Sequence, residues 1–199
     1  MTDDIAIAAL AGLGADRAAH VRTLIRDVPD YPSPGILFRD ITPLLADATA
    51  LSDVVAGFAA VAAGLGRIDL VAGMEARGFL FGAPLATTLG VGFLPLRKAG
   101  KLPPPVERAE YALEYGTAAM ELRSGTLPAG ARVLLVDDVL ATGGTAAAAA
   151  DLVRRGGGEV AGLAFLLELE ALHGRKRLEG HEVTTLLRVG LPGEDDPAA

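Results

Sequence analysis

The sequence predicts an α/β protein whose doubly wound, mostly parallel sheet is flanked by helices. Short apolar runs that suit buried strands alternate along the chain with longer segments of helical pattern. The run Val133–Val136 is apolar at every position, which is typical of a strand covered on both faces of a parallel sheet. Together the alternation and the continuous run indicate helices packed on both sides of one sheet.

Length and composition favour one domain with a full hydrophobic core. The chain has 199 residues, of which 51% are apolar, and we expect all of 1–199 to form one domain. Residues 1–15 are rich in alanine and glycine and are expected to be a loose N-terminal extension. Residues 190–199 are expected to form an acidic tail.

Composition also excludes several classes of site and partner. The absence of cysteine rules out disulfides, thiolate zinc sites and cysteine nucleophiles. A net charge of −7 argues against nucleic acid as a partner. No stretch approaches the roughly 20 apolar residues of a membrane helix, and the acidic N-terminus does not resemble a secretory signal. We therefore expect a cytoplasmic protein without a membrane or nucleic-acid partner.

The elements before the central strand can be assigned in chain order. Asp16 is expected to cap a helix that runs to about Arg26. Prolines make residues 30–35 a stiff connector, and residues 36–38 are a short extended piece. The pattern further predicts helices over 52–65 and 79–89, and strands over 68–72 and 91–96.

Residues 97–110 differ from their surroundings, because they are almost devoid of apolar side chains and contain three successive prolines. A segment this polar beside a site is expected to be a mobile lid. Residues 111–122 are predicted to pair as two antiparallel strands around Gly116. The remaining predictions are a helix over 145–155, strands over 160–167 and 183–189, a short helix or turn over 169–178, and a solvated basic helix end at 174–177.

The most informative motif follows the run Val133–Val136. Asp137 and Asp138 come directly after this run, at the strand end where open α/β sheets bind their ligands. Glycines in the next turn allow successive N–H groups to point at one anion, and the following helix adds its N-terminal dipole. The turn consists of Ala141, Thr142, Gly143, Gly144 and Thr145. These residues predict a phosphate cradle with two carboxylates beside it.

Three interpretations of this motif compete. The first is a tight strand–helix turn without a ligand. The second is a nucleotide site, but a Rossmann site needs G-x-G-x-x-G after the strand and a Walker loop needs a lysine after its second glycine, and the motif has neither. The third is a phosphoribosyl site, in which the loop holds a 5′-phosphate while Asp137 and Asp138 accept hydrogen bonds from the ribose hydroxyls. The stretch closely resembles the diphosphate-sugar motif of phosphoribosyltransferases.

Other candidate residues gain meaning only beside this motif. Arg77 follows a predicted strand and should project from the same sheet edge, where its planar guanidinium can clamp a diphosphate. Lys98 and Lys101 lie on the predicted lid and can close over the same phosphates. The alternative for each of these residues is a solvated surface charge. Glu114 is unremarkable by itself.

Further blocks of the chain resemble the adenine phosphoribosyltransferases. Residues 30–44, DYPSPGILFRDITPL, are similar to the N-terminal signature of that family. Later blocks follow in the family's order and at compatible spacing: GMEARGFLFGAPLA (73–86), RKAGKLP (97–103), YALEYG (111–116), VDDVLATGGT (136–145) and ELEALHGRKRL (168–178). The resemblance covers about residues 16–189, and the three prolines at 103–105 are a mild departure that stiffens the predicted lid.

This resemblance implies a type I phosphoribosyltransferase fold with a small N-terminal hood and a mobile lid loop. It also implies a homodimer that transfers ribose 5-phosphate from 5-phosphoribosyl 1-diphosphate to adenine, giving AMP and diphosphate. Mg²⁺ would be bound through diphosphate and ribose oxygens rather than by direct protein ligation. The implied catalytic residues are Glu114, Asp137 and Asp138.

The implied substrate contacts divide between the base and the phosphates. Phe38 would stack on the purine, main-chain groups around Leu37 would read its edge, and Glu114 would manage a proton on a ring nitrogen. Arg77, Lys98 and Lys101 would take the diphosphate. The implied substrate-binding set is Leu37, Phe38, Arg39, Arg77, Lys98, Lys101, Tyr115, Asp137, Asp138, Ala141, Thr142, Gly143, Gly144 and Thr145.

Two alternatives from other functional classes remain open at this point. A sister enzyme for 6-oxo purines would need a donor to O6, typically lysine, and none is found near Phe38. A non-catalytic regulator that keeps the same pocket usually carries a DNA-binding domain, and this chain has neither the length nor the basic face for one.

Overall fold

The structure is a computed structural model and describes residues 4–113 and 116–190. The strands are β1 (Ile5–Ile7), β2 (Arg26–Pro29), β3 (Leu37–Asp40), β4 (Leu70–Met74), β5 (Gly92–Lys98), β6 (Val106–Leu113), β7 (Gly116–Arg123), β8 (Arg132–Leu140), β9 (Glu159–Leu169) and β10 (Val183–Val189). The α-helices are α1 (Ala15–Thr23), α2 (Thr42–Ala46), α3 (Ala48–Gly64), α4 (Gly78–Leu89) and α5 (Gly144–Arg155), and short 3₁₀ helices span Ala9–Leu13, Glu170–Leu172 and Gly174–Leu178.

The strands form one eight-stranded sheet and one separate hairpin. The order across the sheet is β1-β10-β9-β8-β4-β5-β7-β6, and the five strands from β10 to β5 are parallel. The edge strands β1, β7 and β6 are antiparallel to their neighbours. The predicted doubly wound, mostly parallel sheet is therefore confirmed. The hairpin of β2 and β3 forms the N-terminal hood.

The core lies on both faces of this sheet, as the continuous apolar run of the central strand predicts. Leu134 and Val136 of β8 belong to the cluster that contains Phe58 of α3. Val133 and Leu135 point the other way and belong to the cluster formed with α5. Because successive side chains of a strand alternate between faces, a strand covered on both sides must be apolar at every position.

The prediction of a loose extension over 1–15 is wrong for the part that the structure describes. β1 pairs with β10 at the sheet edge, and the side chains of Ile5 and Leu10 are fully buried. Pairing of this kind removes the unpaired edge that β10 would otherwise present. The two large apolar residues hold the segment in place despite the small residues around them.

The first helix is also shorter than predicted. α1 begins at Ala15 after Gly14, so Asp16 lies in its first turn and is not its cap, and the helix ends at Thr23. Arg26 begins β2 and pairs with Asp40 of β3. The helix ends early because the last residue that the local pattern assigned to it pairs with β3 in the hood hairpin.

The predicted lid over 97–110 is largely part of the sheet. Arg97 and Lys98 end β5, and residues 106–110 are paired with β7, so irregular backbone is confined to 99–105. Ala109 is buried in the cluster formed with α5, and the Arg155 side chain donates a hydrogen bond to the Arg108 carbonyl at 2.7 Å. The predicted antiparallel pairing around Gly116 is confirmed, but the hairpin is longer than expected.

The later elements agree closely with the predictions. The central run extends to the full strand β8, the helix over 145–155 is α5, and the last strand is β10. Two 3₁₀ turns occupy the region predicted as a short helix or turn. Across 4–113 and 116–190, no helix combines the length and apolarity needed to cross a membrane.

Candidate active site

The site is built where the central strand loses one of its two neighbours. β8 pairs with β4 only as far as Val136, but with β9 as far as Leu140. Asp137 and Asp138 therefore lie within the strand, not beyond its end as predicted. On the β4 side they face the space that opens when β4 ends at Met74. This is the crevice at the carboxyl ends of parallel strands in which ligands of open α/β sheets bind.

The acidic pair carries an electrostatic penalty in the free protein. Burial raises the pKa of Asp137 well above its ordinary value, and the neighbouring Asp138 charge raises it further. Burial also raises the pKa of Asp138, although the positive charge of Arg77 opposes that shift. Adjacent desolvated carboxylates disfavour each other's ionisation. Such a pair is well suited to receive hydroxyl donors or positive charge from a ligand.

Arg77 joins the acidic pair to the hood. Its Nε lies 2.8 Å from Asp138 Oδ2, and its guanidinium carbon lies 5.6 Å from the centre of the Phe38 ring. The Phe38 ring in turn makes an edge-to-face contact with Tyr31, with ring centres 5.2 Å apart. Arg77, which is predicted to bind the diphosphate, and Phe38, which is predicted to stack on the base, are therefore in direct contact at the carboxyl edge of the sheet.

Gly78 allows this close approach of helix and strand. A Cβ atom at Gly78 would lie 2.6 Å from the Val136 carbonyl oxygen and 3.0 Å from Asp137 Oδ1. Any larger residue would push the start of α4 away from β8. The glycine thus sets the position of Arg77, which immediately precedes α4, relative to the acidic pair.

The glycine loop, residues 141–145, forms the floor of a recess at the end of β8. Gly143 has a φ of +79° and directly precedes α5, so the chain turns sharply here. The N–H groups of the loop then point in the same direction as the free N–H groups of the first turn of α5. The recess measures about 70 Å³ and is lined by Asp137, residues 139–146 and Phe165. Backbone donors at a helix N-terminus beside hydroxyls form a general anion-binding arrangement.

Lys98 and Lys101 are exposed on a tight turn beside the Arg77 loop. The Lys101 N–H donates to the Lys98 carbonyl at 3.3 Å, which closes the turn. Glu75 accepts a hydrogen bond from the Lys98 N–H at 2.8 Å, and the buried Glu121 accepts one from the Gly100 N–H at 2.9 Å. Hydrogen bonding by Arg97, at 3.0 Å from Glu75, is the main cause of the lowered pKa of Glu75. Two carboxylates thus fix the turn that carries both lysines.

Arg39 is not brought to the cleft. Its side chain is only 5% exposed and forms ion pairs with Asp4 and Asp27. Strand alternation points the Arg39 side chain away from Phe38, and the assignment of Arg39 to substrate binding stays a prediction. Leu37, on the same strand, is 45% exposed at the hood. Glu114 and Tyr115 lie outside the described residues.

Sequence reasoning missed several residues that support the site. Tyr31 backs the Phe38 ring, and Glu75 holds the lysine turn. The run 174–177 is not simply a solvated helix end, because Arg175 forms two hydrogen bonds, at 2.7 and 2.8 Å, with the buried Glu168. The only sequence signal for this pair was its occurrence within one family-like block, 168–178.

Comparison with known proteins agrees with this geometry. The phosphoribosyl transferase domain family matches residues 45–190. The adenine phosphoribosyltransferase of Thermobifida fusca is 53% identical over 177 residues, which are 89% of this chain and the whole of that protein. This chain belongs to the adenine phosphoribosyltransferase family. The family member from Kineococcus radiotolerans is 59% identical over 169 residues, covering 85% of this chain and 91% of its relative.

Solved structures of adenine phosphoribosyltransferases share the fold. The enzyme from Saccharomyces cerevisiae, crystallised with adenine and an imino-altritol bisphosphate, has a TM-score of 0.82 and 40% identity over 86% of this chain and 98% of the other. The enzyme from Thermoanaerobacter pseudethanolicus has a TM-score of 0.81 and 48% identity over 86% and 99%. The prediction of this family from the DD–ATGGT, FRD and YALEYG motifs is confirmed.

Proposed function

We propose that this protein transfers ribose 5-phosphate from 5-phosphoribosyl 1-diphosphate to adenine, producing AMP and diphosphate. The observation that carries the proposal is the convergence of three subsites at one sheet edge. The glycine loop suits a 5′-phosphate, the acidic pair suits the ribose, and Arg77 touches both Asp138 and the ring of Phe38. A phosphoribosyl donor and a flat base can therefore occupy adjoining positions.

In this mechanism the glycine loop and the acidic pair hold the sugar while the bond from C1′ to diphosphate breaks. Departure of the diphosphate leaves positive charge on the ring oxygen and C1′. Asp137 and Asp138, accepting hydrogen bonds from the ribose hydroxyls, orient the ring and place negative charge beside it. Burial of Asp138 strengthens this interaction, because solvent screens a buried charge less than an exposed one.

Three cations in two places would meet the diphosphate. Arg77 lies at the acidic pair, and the fixed turn presents Lys98 and Lys101 from the neighbouring strand. To bind diphosphate, the Arg77 side chain can exchange its contact with Asp138 for phosphate oxygens. A planar guanidinium binds two such oxygens at once, whereas each lysine acts as a point charge.

Mg²⁺ fits the donor set at this edge as part of the bound substrate. Asp138 Oδ2 is buried, and the contact that it makes with the Arg77 Nε at 2.8 Å can be given up when Arg77 turns to phosphate. Carboxylate oxygens combined with substrate oxygens and water are the ligands that Mg²⁺ takes in phosphate sites. When bound to diphosphate, the ion would offset the charge of the leaving group. Asp137 and Asp138 are the residues that would face it, directly or through the ribose hydroxyls.

The base would lie against Phe38, whose ring has the guanidinium of Arg77 beside it. Main-chain groups of β3 around Leu37 can read the purine edge, as the resemblance implies. Glu114 would take or return the proton of the ring nitrogen that attacks C1′. Tyr115 is proposed as a neighbour of the substrate on the basis of sequence alone.

We also propose that two copies associate into a homodimer. Several large apolar side chains are exposed in the described chain, namely Tyr31, Ile36, Leu37, Leu80 and Leu172. Burial of such side chains between subunits would be favourable. Sedimentation of the protein at assay concentration tests this proposal, and a monomer would contradict it.

The enzymatic proposal is tested by one panel of bases. Purified protein with Mg²⁺ and 5-phosphoribosyl 1-diphosphate should consume adenine, with hypoxanthine, guanine and xanthine used at least 100-fold less efficiently. Formation of AMP and diphosphate in equal amounts should accompany the loss of adenine. Efficient use of a 6-oxo purine would point to the sister activity, and no turnover of any base would contradict the proposed function.

A further inference from the structure

The segment 168–178 packs against the back of the glycine loop through a contact between two glycines. A Cβ atom at Gly143 would lie closer than 3.0 Å to the Gly174 carbonyl oxygen. A Cβ at Gly174 would lie closer than 3.0 Å to the Ala141 carbonyl oxygen and 2.9 Å from Leu140 Cδ1. The two backbones can therefore approach this closely only because both residues are glycine.

These two glycines differ in conformation, and this difference separates their roles. Gly143 has a φ of +79°, so a side chain there would be strained whatever the surrounding space. The φ of Gly174 does not fall in the left-handed region that favours glycine. A substitution at Gly174 therefore acts through its contact with the loop and does not act through its own backbone preference.

Two anchors that follow Gly174 in the chain hold the segment. The first is Arg175, which donates to both carboxylate oxygens of Glu168, at 2.7 and 2.8 Å, and to the Val183 carbonyl at 2.8 Å. Thr185 also donates to Glu168, at 3.1 Å. The second is Leu178, which is buried in the core cluster that includes α5. A bidentate ion pair on a buried carboxylate and an apolar anchor leave Gly174 little freedom to move.

We propose that Gly174 is a positioning residue for the substrate's 5′-phosphate. Through contact with residues 141–143, it holds the glycine loop in the shape that presents its N–H groups to the phosphate. A loop fixed before binding spends less of the binding free energy on its own ordering. Because the loop is assigned to a 5′-phosphate through the proposed function, the role of Gly174 rests on that function.

Substitution of Gly174 by alanine tests the role with the full-length protein. Gly174→Ala should displace Ala141 and raise both the KM for 5-phosphoribosyl 1-diphosphate and the calorimetric Kd for ribose 5-phosphate by at least 10-fold. The KM for adenine should stay within about threefold. Gly64→Ala is the matched control, because Gly64 ends α3 and a Cβ there meets no atom within 4 Å. This control should change neither constant.

A second pair of variants keeps the proposal testable if Gly174→Ala does not fold. Arg175→Gln removes the ion pair with Glu168 without changing the loop and should raise the Kd for ribose 5-phosphate 3- to 10-fold. Arg175→Lys keeps the positive charge and should raise this Kd less. A melting curve for each variant identifies loss of folded protein, which would alter the active fraction but not Kd. Failure of the wild type to form AMP would count against the proposed function. Unchanged Kd in folded Gly174→Ala, or equal effects on adenine and ribose 5-phosphate, would overturn the role of Gly174.

Discussion

The contact between Gly78 and β8 provides the sharpest test of how the site is built, because one methyl group should disturb it. In Gly78→Ala the new Cβ would lie 2.6 Å from the Val136 carbonyl oxygen and 3.3 Å from the Asp137 Cα. Both are backbone atoms of the central strand and cannot rotate away. Either α4 must shift outward or β8 must bend at the acidic pair.

The size of the effect follows from two opposing contributions. Alanine in place of glycine favours a helix by up to about 1 kcal/mol, less at a first position. Overpacking against a rigid backbone costs about 1–3 kcal/mol. We therefore expect a net destabilisation of about 1–2 kcal/mol, or a fall in Tm of roughly 2–8 °C for a chain of this size. A shift of Arg77 and Asp137 should also lower kcat/KM, because misplacement by about 1 Å can cost 100-fold.

The control variant for this experiment should not lower the Tm. Gly64→Ala also places alanine in a helix, but in open space, so its Tm should stay equal or rise. Urea unfolding and steady-state kinetics with adenine and 5-phosphoribosyl 1-diphosphate would measure both variants. A Gly78→Ala protein with the Tm and kcat/KM of the wild type would show that the approach of α4 to β8 does not position the site.

Three further perturbations address the chemistry of the site. Asp137→Asn should raise the Tm of the unliganded protein at neutral pH while abolishing most activity. Since the native pKa of Asp137 is raised, the ionised carboxylate destabilises the native protein, and this cost disappears as the pH falls towards the pKa of about 3.9 in the unfolded chain. A difference in Tm between variant and wild type that is independent of pH from 4 to 8 would contradict this. Glu114→Gln should lower kcat by roughly 10²–10⁴-fold with little change in KM or Tm, and a variant within a few-fold of the wild type would exclude a proton-transfer role. Thr142→Val should weaken calorimetric binding of 5-phosphoribosyl 1-diphosphate by about 1.5–3 kcal/mol through loss of a hydroxyl donor, and unchanged binding both there and in Gly143→Val would show that the loop does not hold the phosphate.

The parts of the fold that the sequence predicted correctly are those in which local pattern and tertiary environment agree. The run at β8 is apolar on both faces because both faces are covered, and the helix α5 follows a turn rich in glycine and threonine. The motif that identifies the family is short and local, so its residues could be recognised without knowledge of the fold. Arg77 could also be predicted from local sequence, because the strand and loop that precede it place it at the carboxyl edge of the sheet.

The errors arose where a distant partner decides the structure. Residues 5–7 look like a loose segment until β10 provides an edge for them to pair with. Residues 106–110 look like a lid because their exposed face is polar, while their pairing partner lies beyond the hairpin tip. The ion pairs of the Arg39 side chain with Asp4 and Asp27 likewise depend on residues far away in the chain. None of these partners can be recognised from the segment alone.

The candidate site is also where the chain departs most from the rules that stabilise the rest of the fold. Asp137 and Asp138 lie side by side with raised pKa values, Gly143 takes a left-handed conformation, and Gly174 packs backbone against backbone. The raised pKa values mean that the ionised carboxylates lower the stability of the free protein, and a ligand that supplies hydroxyl donors or a cation offsets this cost. The core clusters carry no comparable conflict among the described residues that form them. Conflicts collected at one sheet edge therefore indicate a binding site on physical grounds, independently of the motif that names the family.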